Sequence, residues 1–279
     1  MRKIIKEEVI NSLKKGLINV NLYLNPKLKN MISGAIANES SKLGQEILET
    51  ILENAEIAPK VNKPLCQDTG SVVIFLEIGR EIYLDFDIYQ IIDQAVSEAY
   101  QEGFLRKSIV EHPLDRVNTK DNTKAIVHTK MVEGDKLKFK VATKGGGAEN
   151  MSAIRMLKPS DGYEGIVDFV LETVFNAKGN PCPPIIVGLG IGGNFEKSAL
   201  LAKEALYRDL DDVATHEIDR KLEVELLQKI NDLGVGPMGL GGNTTCLTVK
   251  VNSYPCHIAS LPVAINIQCH SAREFEVVI

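Results

Sequence analysis

The 279-residue sequence lacks several features that would place it in common functional classes. It has no long run of Lys and Arg and no acidic tail, and its formal net charge is −5. Phosphate binding needs clustered positive charge, so the composition argues against nucleic acid as the main partner. No window approaches the roughly 18 uncharged apolar residues of a membrane-spanning helix. The N-terminus carries Glu7 and Glu8 and no continuous apolar segment, which predicts a cytoplasmic protein without a signal or transit peptide.

Nucleotide-binding motifs are absent or incomplete. No Gly-Lys-Ser or Gly-Lys-Thr follows a glycine run, which excludes a P-loop. Gly188, Gly190 and Gly193 match the G-x-G-x-x-G spacing of a dinucleotide-binding turn, and Asp209 follows where a ribose-binding acid is expected. That acid should end a second strand, but the sequence between Asn194 and Asp209 is typical of a helix. A nucleotide-binding oxidoreductase is therefore a disfavoured alternative.

The cysteines show no metal-binding spacing. No CxxC pair exists, which argues against a zinc ribbon, and an odd number of cysteines is a poor disulfide framework. Cys66 in PLCQDTG, Cys182 in NPCPP and Cys269 in NIQCHSAR lie at turns or ends of elements. Cys246 falls inside a predicted strand and is expected to be a buried apolar residue, while Cys256 is ambiguous. If three thiolates converged, they could hold an iron–sulfur cluster that leaves one iron without a protein ligand.

The apolar pattern predicts one mixed α/β domain over residues 1–279, with a mixed or antiparallel sheet flanked by helices. Helical spacing of Ile, Leu and Val predicts two or three amphipathic helices in an N-terminal segment of about 60 residues. SVVIFLEIG (71–79) predicts a buried strand, and TKAIVHTKMV and KLKFKVATK predict a hairpin with one solvated face. Asn194 is a predicted helix cap.

Three glycine turns, at 145–147, 188–193 and 239–242, allow two interpretations. They are tight connections between strands and helices, or their backbone N–H groups bind an anion such as a carboxylate or a phosphate. Three such turns in one chain favour anion binding for at least one of them.

Five segments together resemble the iron–sulfur-dependent hydro-lyases, the class I fumarases and L-tartrate dehydratases. They are KPLCQDTG, KGGGAEN, NPCPPIIVGLGIGGN, GVGPMGLGGNTTCL and PCHIASLPVAINIQCHSAR. The resemblance covers nearly the whole chain from about residue 40, and the length is similar to that of the separate α subunit of two-subunit forms. It implies reversible hydration of fumarate to (S)-malate, with L-tartrate dehydration, or another 2-hydroxy-dicarboxylate hydro-lyase activity, as the alternative.

The resemblance also implies a site. The residues are the [4Fe–4S] cluster ligands Cys66, Cys182 and Cys269, the substrate-facing Gln67, Asp68, Arg106 and His257, and the loop Gly145, Gly146 and Gly147. Asp68 holds the substrate or moves a proton, and Arg106 pairs with a substrate carboxylate. His257 is implied to reach the site of a neighbouring protomer. The open iron is expected to act as a Lewis acid, with His270 and Arg273, both close to Cys269 in sequence, as supporting groups.

The resemblance implies a β subunit and an α2β2 assembly. The base that removes the substrate proton belongs to the second half of such enzymes, so the chain alone is expected to be inactive. A cluster-binding sensor is the alternative from another class. The Gln67, Asp68, Arg106 and His257 set argues against it, because a sensor needs no carboxylate pocket.

Overall fold

The structure is a computed structural model that describes every residue from Met1 to Ile279. The chain forms two compact units, each with a four-stranded sheet and helices, so the mixed α/β class is confirmed. The first unit comprises Met1–Asn25, Asn54–Gly146 and Ala272–Ile279, and the second comprises Pro26–Glu53 and Gly147–Ser271. The single-domain organisation stays a prediction. None of the helices combines the length and the apolar character needed to cross a membrane.

The elements follow one another in mixed order along the chain. The helices are α1 (Lys6–Leu22), α2 (Pro26–Asn38), α3 (Lys42–Lys60), α4 (Ile88–Glu102), α5 (Gly146–Glu149), α6 (Gly162–Ala177), α7 (Phe195–Leu206) and α8 (Glu217–Asp232). The strands are β1 (Arg2–Lys3), β2 (Ser71–Gly79), β3 (Ile82–Tyr83), β4 (Ile126–Val132), β5 (Leu137–Lys144), β6 (Ala153–Leu157), β7 (Ile185–Gly192), β8 (Cys246–Tyr254), β9 (Leu261–Gln268) and β10 (Arg273–Val278).

The predicted N-terminal helices are confirmed as α1, α2 and α3. Two later helices begin at side-chain caps that satisfy backbone N–H groups of the first turn. Asp87 Oδ1 accepts from Tyr89 N at 2.9 Å before α4, and Asn194 Oδ1 accepts from Lys197 N at 2.9 Å before α7, as predicted.

The sheet of the first unit has the order β10-β5-β2-β4. The predicted hairpin is wrong, because β2 lies between its two strands, antiparallel to β5 and parallel to β4. β2 is the most apolar strand of this sheet, and a central position buries both of its edges. The solvated face is confirmed, since Lys138 and Lys140 alternate with the fully buried Leu137 and Phe139.

Helices α1 and α4 cover the apolar face of this sheet. Leu13 and Leu17 of α1 and Ile92 of α4 are at most 1% exposed and pack in one cluster with Phe139. The C-terminal strand β10, which the sequence pattern did not predict, pairs with β5 in the register Phe275 to Val141. The C-terminus is thereby part of the first unit.

The sheet of the second unit has the order β6-β9-β7-β8. Ile185, Val187 and Leu189 of β7 point to one face and form a core with α6 and α8. The alternate residues Gly188 and Gly190 face α7 on the other side.

The glycines of β7 allow α7 to pack directly on the strand. A Cβ atom added at Gly190 would lie 2.1 Å from the backbone oxygen of Ser198 in α7, far inside contact distance. The two glycines are therefore needed for helix–strand packing.

We predict that Gly190→Ala lowers the free energy of unfolding by about 1–3 kcal/mol, because the added methyl group must displace α7. Gly34→Ala is the matched control: Gly34 lies inside α2, and a Cβ atom there meets nothing within 4 Å. Its expected effect is a gain of about 0.5–1 kcal/mol from helix propensity. Urea unfolding of both variants measures the difference, and equal effects would contradict the packing role of Gly190.

Candidate functional site

The residues singled out in the sequence are distributed over both units. The first unit contains Cys66, Gln67, Asp68, Arg106, Gly145 and Gly146, and the second contains Gly147, Cys182, His257 and Cys269. No group of three or more His, Cys, Asp or Glu side chains is arranged in the structure around a common metal position.

The segment 66–70 in the first unit is a turn fixed by the Asp68 carboxylate. Its Oδ1 atom accepts from Gly70 N at 3.0 Å, and its Oδ2 atom accepts from Gly146 N at 2.8 Å. Asp68 therefore closes its own turn and also connects it to the glycine loop after β5. The Cys66 side chain is half-buried and that of Gln67 is exposed. Their Sγ and Oε1 atoms are 3.8 Å apart.

Buried donors hold the backbone carbonyls of this turn. The Arg273 side chain is fully buried, and its Nη1 donates to Asp68 O at 2.9 Å and to Asn21 Oδ1 at 3.0 Å. The Tyr100 hydroxyl lies 2.9 Å from Thr69 O and 2.8 Å from Gly70 O. Burial raises the pKa of Tyr100 well above its usual value, so the phenol stays protonated and acts as a donor.

Arg106 lies next to this turn. Its backbone oxygen accepts from Thr69 Oγ1 at 3.0 Å, while its side chain is exposed and forms no ion pair within the chain. A guanidinium without an internal carboxylate partner is available for an external one.

Two of the predicted cluster ligands lie on turns that the second unit brings together. His270 Nδ1 is 2.9 Å from Cys182 O, and because a carbonyl only accepts, Nδ1 carries the proton. Cys182 has a φ of 55°, a left-handed conformation uncommon for a residue with a side chain. Cys269 Sγ lies 3.4 Å from Ser271 Oγ. The contact of His270 thus joins the Cys182 turn to the segment that carries Cys269.

Exposure separates the five cysteines into three groups. Cys66, Cys182 and Cys269 are half-buried on turns. Cys246 is 2% exposed, its Sγ donates to Thr248 O at 3.2 Å, and burial raises the pKa of its thiol to about 12, so it remains a protonated apolar residue. Cys256 lies on an exposed turn. Half-buried thiols on turns fit the donor set of an iron–sulfur cluster, while Cys246 does not.

His257 lies on the exposed turn between β8 and β9. Its Nδ1 accepts from Ala259 N at 3.1 Å, so one ring nitrogen stabilises the turn. Ile258 next to it is 92% exposed.

Carboxylates of the chain itself accept hydrogen bonds from backbone N–H groups at the first glycine turn and directly after the third. In the first, Gly146 N donates to Asp68, as described above. Directly after the third, Glu39 is 3% exposed and accepts from the backbone N–H groups of Asn243 and Thr244, at 2.8–3.0 Å, and from Ser41 N at 2.9 Å. The turn at 188–193 only connects β7 to α7. One N–H of the first turn and two N–H groups directly after the third thus bind anions, and both anions are carboxylates of the chain itself.

The acids after the G-x-G-x-x-G turn have structural partners. Asp209 and Asp211 both pair with Lys27. Asp212 binds the guanidinium of Arg208 through both carboxylate oxygens and also pairs with Lys250. No strand lies between α7 and these acids, although a dinucleotide-binding site needs a second strand that ends at the ribose-binding acid.

Sequence reasoning missed the residues that support the site. Tyr100 belongs to the apolar stripe of α4, and Asn21 lies at the end of the amphipathic α1, so both resemble ordinary helical positions. Asn122 lies among turn residues in TKDNTK. Nothing local distinguishes a side chain that binds a distant backbone carbonyl.

Comparisons with known proteins agree on one family. Residues 10–278 match the family model described as "Fumarate hydratase (Fumerase)". A Methanocaldococcus jannaschii protein provisionally named L(+)-tartrate dehydratase subunit alpha is 45% identical over 90% of this chain and 90% of its own length. The L(+)-tartrate dehydratase α subunits of Escherichia coli (strain K12) and Shigella sonnei are 31% identical over 96% of this chain and 91% of theirs.

The Glu39 cradle predicts a pH-dependent stability. Burial by itself would raise the pKa of Glu39, but the N–H groups of Ser41, Asn243 and Thr244 outweigh it and hold the pKa below its usual value. A carboxyl group with a lowered pKa stabilises the fold above its unfolded pKa of about 4.3, and the stabilisation is lost as the pH falls through the folded pKa.

We expect Glu39→Gln to lower the free energy of unfolding by about 1–3 kcal/mol near pH 7, because an amide NH2 replaces an accepting oxygen. The difference from the parent chain should shrink as the pH falls through the lowered folded pKa of Glu39, where the parent loses its charge. Urea titrations at several pH values measure it. Glu46→Gln on the exposed side of α3 is the control. A difference that does not change with pH would show that the Glu39 charge has no such role.

Proposed function

Because the chain belongs to the fumarate hydratase (fumerase) family and is a hydro-lyase, we propose that it is the α subunit of an iron–sulfur enzyme acting on a four-carbon dicarboxylate. The observation that supports this most is the turn of Cys66, Gln67 and Asp68. It presents a thiol, an amide and a carboxylate on a backbone held by buried donors, next to the exposed Arg106.

Cys66, Cys182 and Cys269 are the proposed cluster ligands, since they are the half-buried thiols on turns. When bound, a cluster with three thiolate ligands supplies a Lewis-acidic iron that makes hydroxide a better leaving group. The chain's own contribution is to position the thiols and to orient the substrate.

The substrate contacts follow from the chemistry of the side chains. Arg106 provides two parallel N–H donors, which suit one carboxylate of a dicarboxylate. Gln67 offers an amide donor and acceptor on the cluster turn. The N–H of Gly146 already donates to Asp68, so backbone contacts of this loop with the substrate are assigned to Gly145 and Gly147. The exposed His257 is assigned to the site of a second copy of the chain.

Asp68 is the proposed catalytic residue. Both carboxylate oxygens already accept an N–H, and each retains a further lone pair for a substrate hydroxyl. Its fixed position on the turn orients the substrate hydroxyl or holds its proton.

L(+)-tartrate and fumarate are both candidate substrates, for different reasons. The family description names fumarate hydration, whereas the relatives at 31–45% identity carry the name L(+)-tartrate dehydratase. Loss of water from a 2,3-dihydroxy dicarboxylate gives the enol of a 2-oxo dicarboxylate, and addition of water to fumarate gives (S)-malate. The relatives' names make tartrate dehydration the first candidate and fumarate hydration the second.

A β subunit completes the proposed enzyme. The relatives are named α subunits, which supports a separate partner chain. We assign the base that removes the substrate proton to this partner and the assembly to α2β2.

We predict that the reconstituted chain alone has no hydro-lyase activity and that anaerobic co-purification with its β subunit restores it. With L(+)-tartrate as substrate, formation of a 2-oxo acid is measured. With fumarate or (S)-malate as substrate, the loss or gain of fumarate absorbance is measured, and the acid that reacts identifies the substrate. Turnover by the α chain without a partner would overturn the assignment of the base, and no activity of the complex on any of the three acids would overturn the proposed function.

The ligand assignment predicts that Cys66→Ser, Cys182→Ser and Cys269→Ser each abolish the visible absorbance of the cluster and lower the iron content of the complex. A serine hydroxyl is a much poorer ligand than a thiolate. Cys256→Ser is the control, since this thiol lies on an exposed turn and should be dispensable for the cluster. Unchanged iron content in Cys66→Ser would show that the ligand set is wrong.

A further inference from the structure

Three successive carbonyls of the turn that carries Asp68 accept hydrogen bonds from buried side chains. Asp68 O is held by Arg273, and Thr69 O and Gly70 O lie within reach of the Tyr100 hydroxyl. Gly70 O also accepts from Asn122 Nδ2 at 3.1 Å. This last contact differs from the others, because Asn122 belongs to the loop that follows Arg106.

Asn122 bridges two segments of the site with its amide group. The side chain is completely buried. While Nδ2 donates to Gly70 O, Oδ1 accepts from Ser108 N at 2.7 Å, two residues after Arg106. The bridge therefore requires a side chain of this length with one donor and one acceptor, which Asp and Leu do not provide.

A second contact connects the same two segments. Thr69 Oγ1 donates to Arg106 O at 3.0 Å, and Thr69 is 1% exposed. The turn of Asp68 and the segment of Arg106 are thus connected at two points, the carbonyl of Arg106 itself and the N–H of Ser108. Two connections made by the buried side chains of Asn122 and Thr69 fix the distance between the segments more firmly than either would alone.

The backbone conformation at position 122 also favours asparagine. Its φ is 66°, in the left-handed region that Asn tolerates better than most residues. Asp tolerates the same conformation, so Asn122→Asp changes the hydrogen bonding without adding much backbone strain.

We infer that Asn122 is a positioning residue that sets the spacing between the Asp68 turn and Arg106, and thereby the chain length of the dicarboxylate that the site accepts. The inference rests on the proposed function, which places a substrate between these two groups. Asn122 acts through its neighbours and has no contact with the substrate itself.

The experiment uses the α–β complex and two dicarboxylates that cannot react, succinate with four carbons and glutarate with five. Isothermal titration gives a dissociation constant for each. In Asn122→Asp a carboxylate faces Gly70 O, so the bridge is broken while Ser108 N keeps its acceptor. We expect succinate affinity to fall about tenfold, a loss of about 1.4 kcal/mol. The ratio of the glutarate dissociation constant to the succinate dissociation constant should fall, because the distance between the Asp68 turn and Arg106 is no longer fixed.

Two further variants make the result specific. Thr69→Val removes the second connection with little change in volume, and it should reduce succinate affinity about threefold in the same direction. Asn118→Asp is the matched control: Asn118 Nδ2 donates to Lys107 O at 2.9 Å and Oδ1 accepts from Lys120 N at 2.7 Å, entirely within the loop. It should leave both constants unchanged. Iron content and circular dichroism confirm that each complex is assembled.

The outcomes are distinguishable. Unchanged succinate affinity and preference in Asn122→Asp would overturn the inference, as would an equal loss in Asn118→Asp, which indicates general weakening of the loop. If Asn122→Asp does not assemble, Thr69→Val decides by the same criteria. A parent complex that binds neither dicarboxylate would instead overturn the proposed function, and the inference with it.

Discussion

The turn from Cys66 to Gly70 depends on donors that are buried elsewhere in the first unit. A turn has few backbone hydrogen bonds of its own, and an unpaired buried carbonyl is costly. Arg273 from the last strand, Tyr100 from α4 and Asn122 from a long loop satisfy these carbonyls in succession. The position of Asp68 is therefore determined by three elements that are distant in sequence.

Carboxylates recur as the partners of glycine loops in this chain. Asp68 accepts a hydrogen bond from an N–H of the loop after β5. Glu39 accepts from three N–H groups, two of which belong to the loop before β8. Exposed N–H groups in glycine turns attract negative charge, and an internal carboxylate fixes the loop at the same time as it satisfies the donors. The two loops with internal anions are thus rigid supports, and at Asp68 the support is itself a proposed catalytic group.

Much of the secondary structure could be predicted from local pattern. The run SVVIFLEIG was expected to be a buried strand and forms β2, and Asn194 caps α7 as its side chain predicts. Strand pairing was not predictable in the same way. β4 and β5 alternate as hairpin strands do, yet both pair with β2, because the burial of a strongly apolar strand outweighs the proximity of two amphipathic ones. β10 is short and lies at the edge of the sheet, so its sequence pattern does not predict its pairing with β5.

The sequence by itself determined the family, the predicted ligand thiols and the contrast between Cys246 and the cysteines on turns. These follow from residue types and short motifs, which are local properties of the chain. Only the tertiary structure decided that Asp68 binds Gly146 and that Glu39 binds the N–H groups directly after the third glycine turn. It also decided that Asn122 connects the Asp68 turn to the Arg106 segment. Each of these hydrogen bonds joins positions tens to hundreds of residues apart. The residues around a polar side chain do not indicate which distant backbone group it will bind.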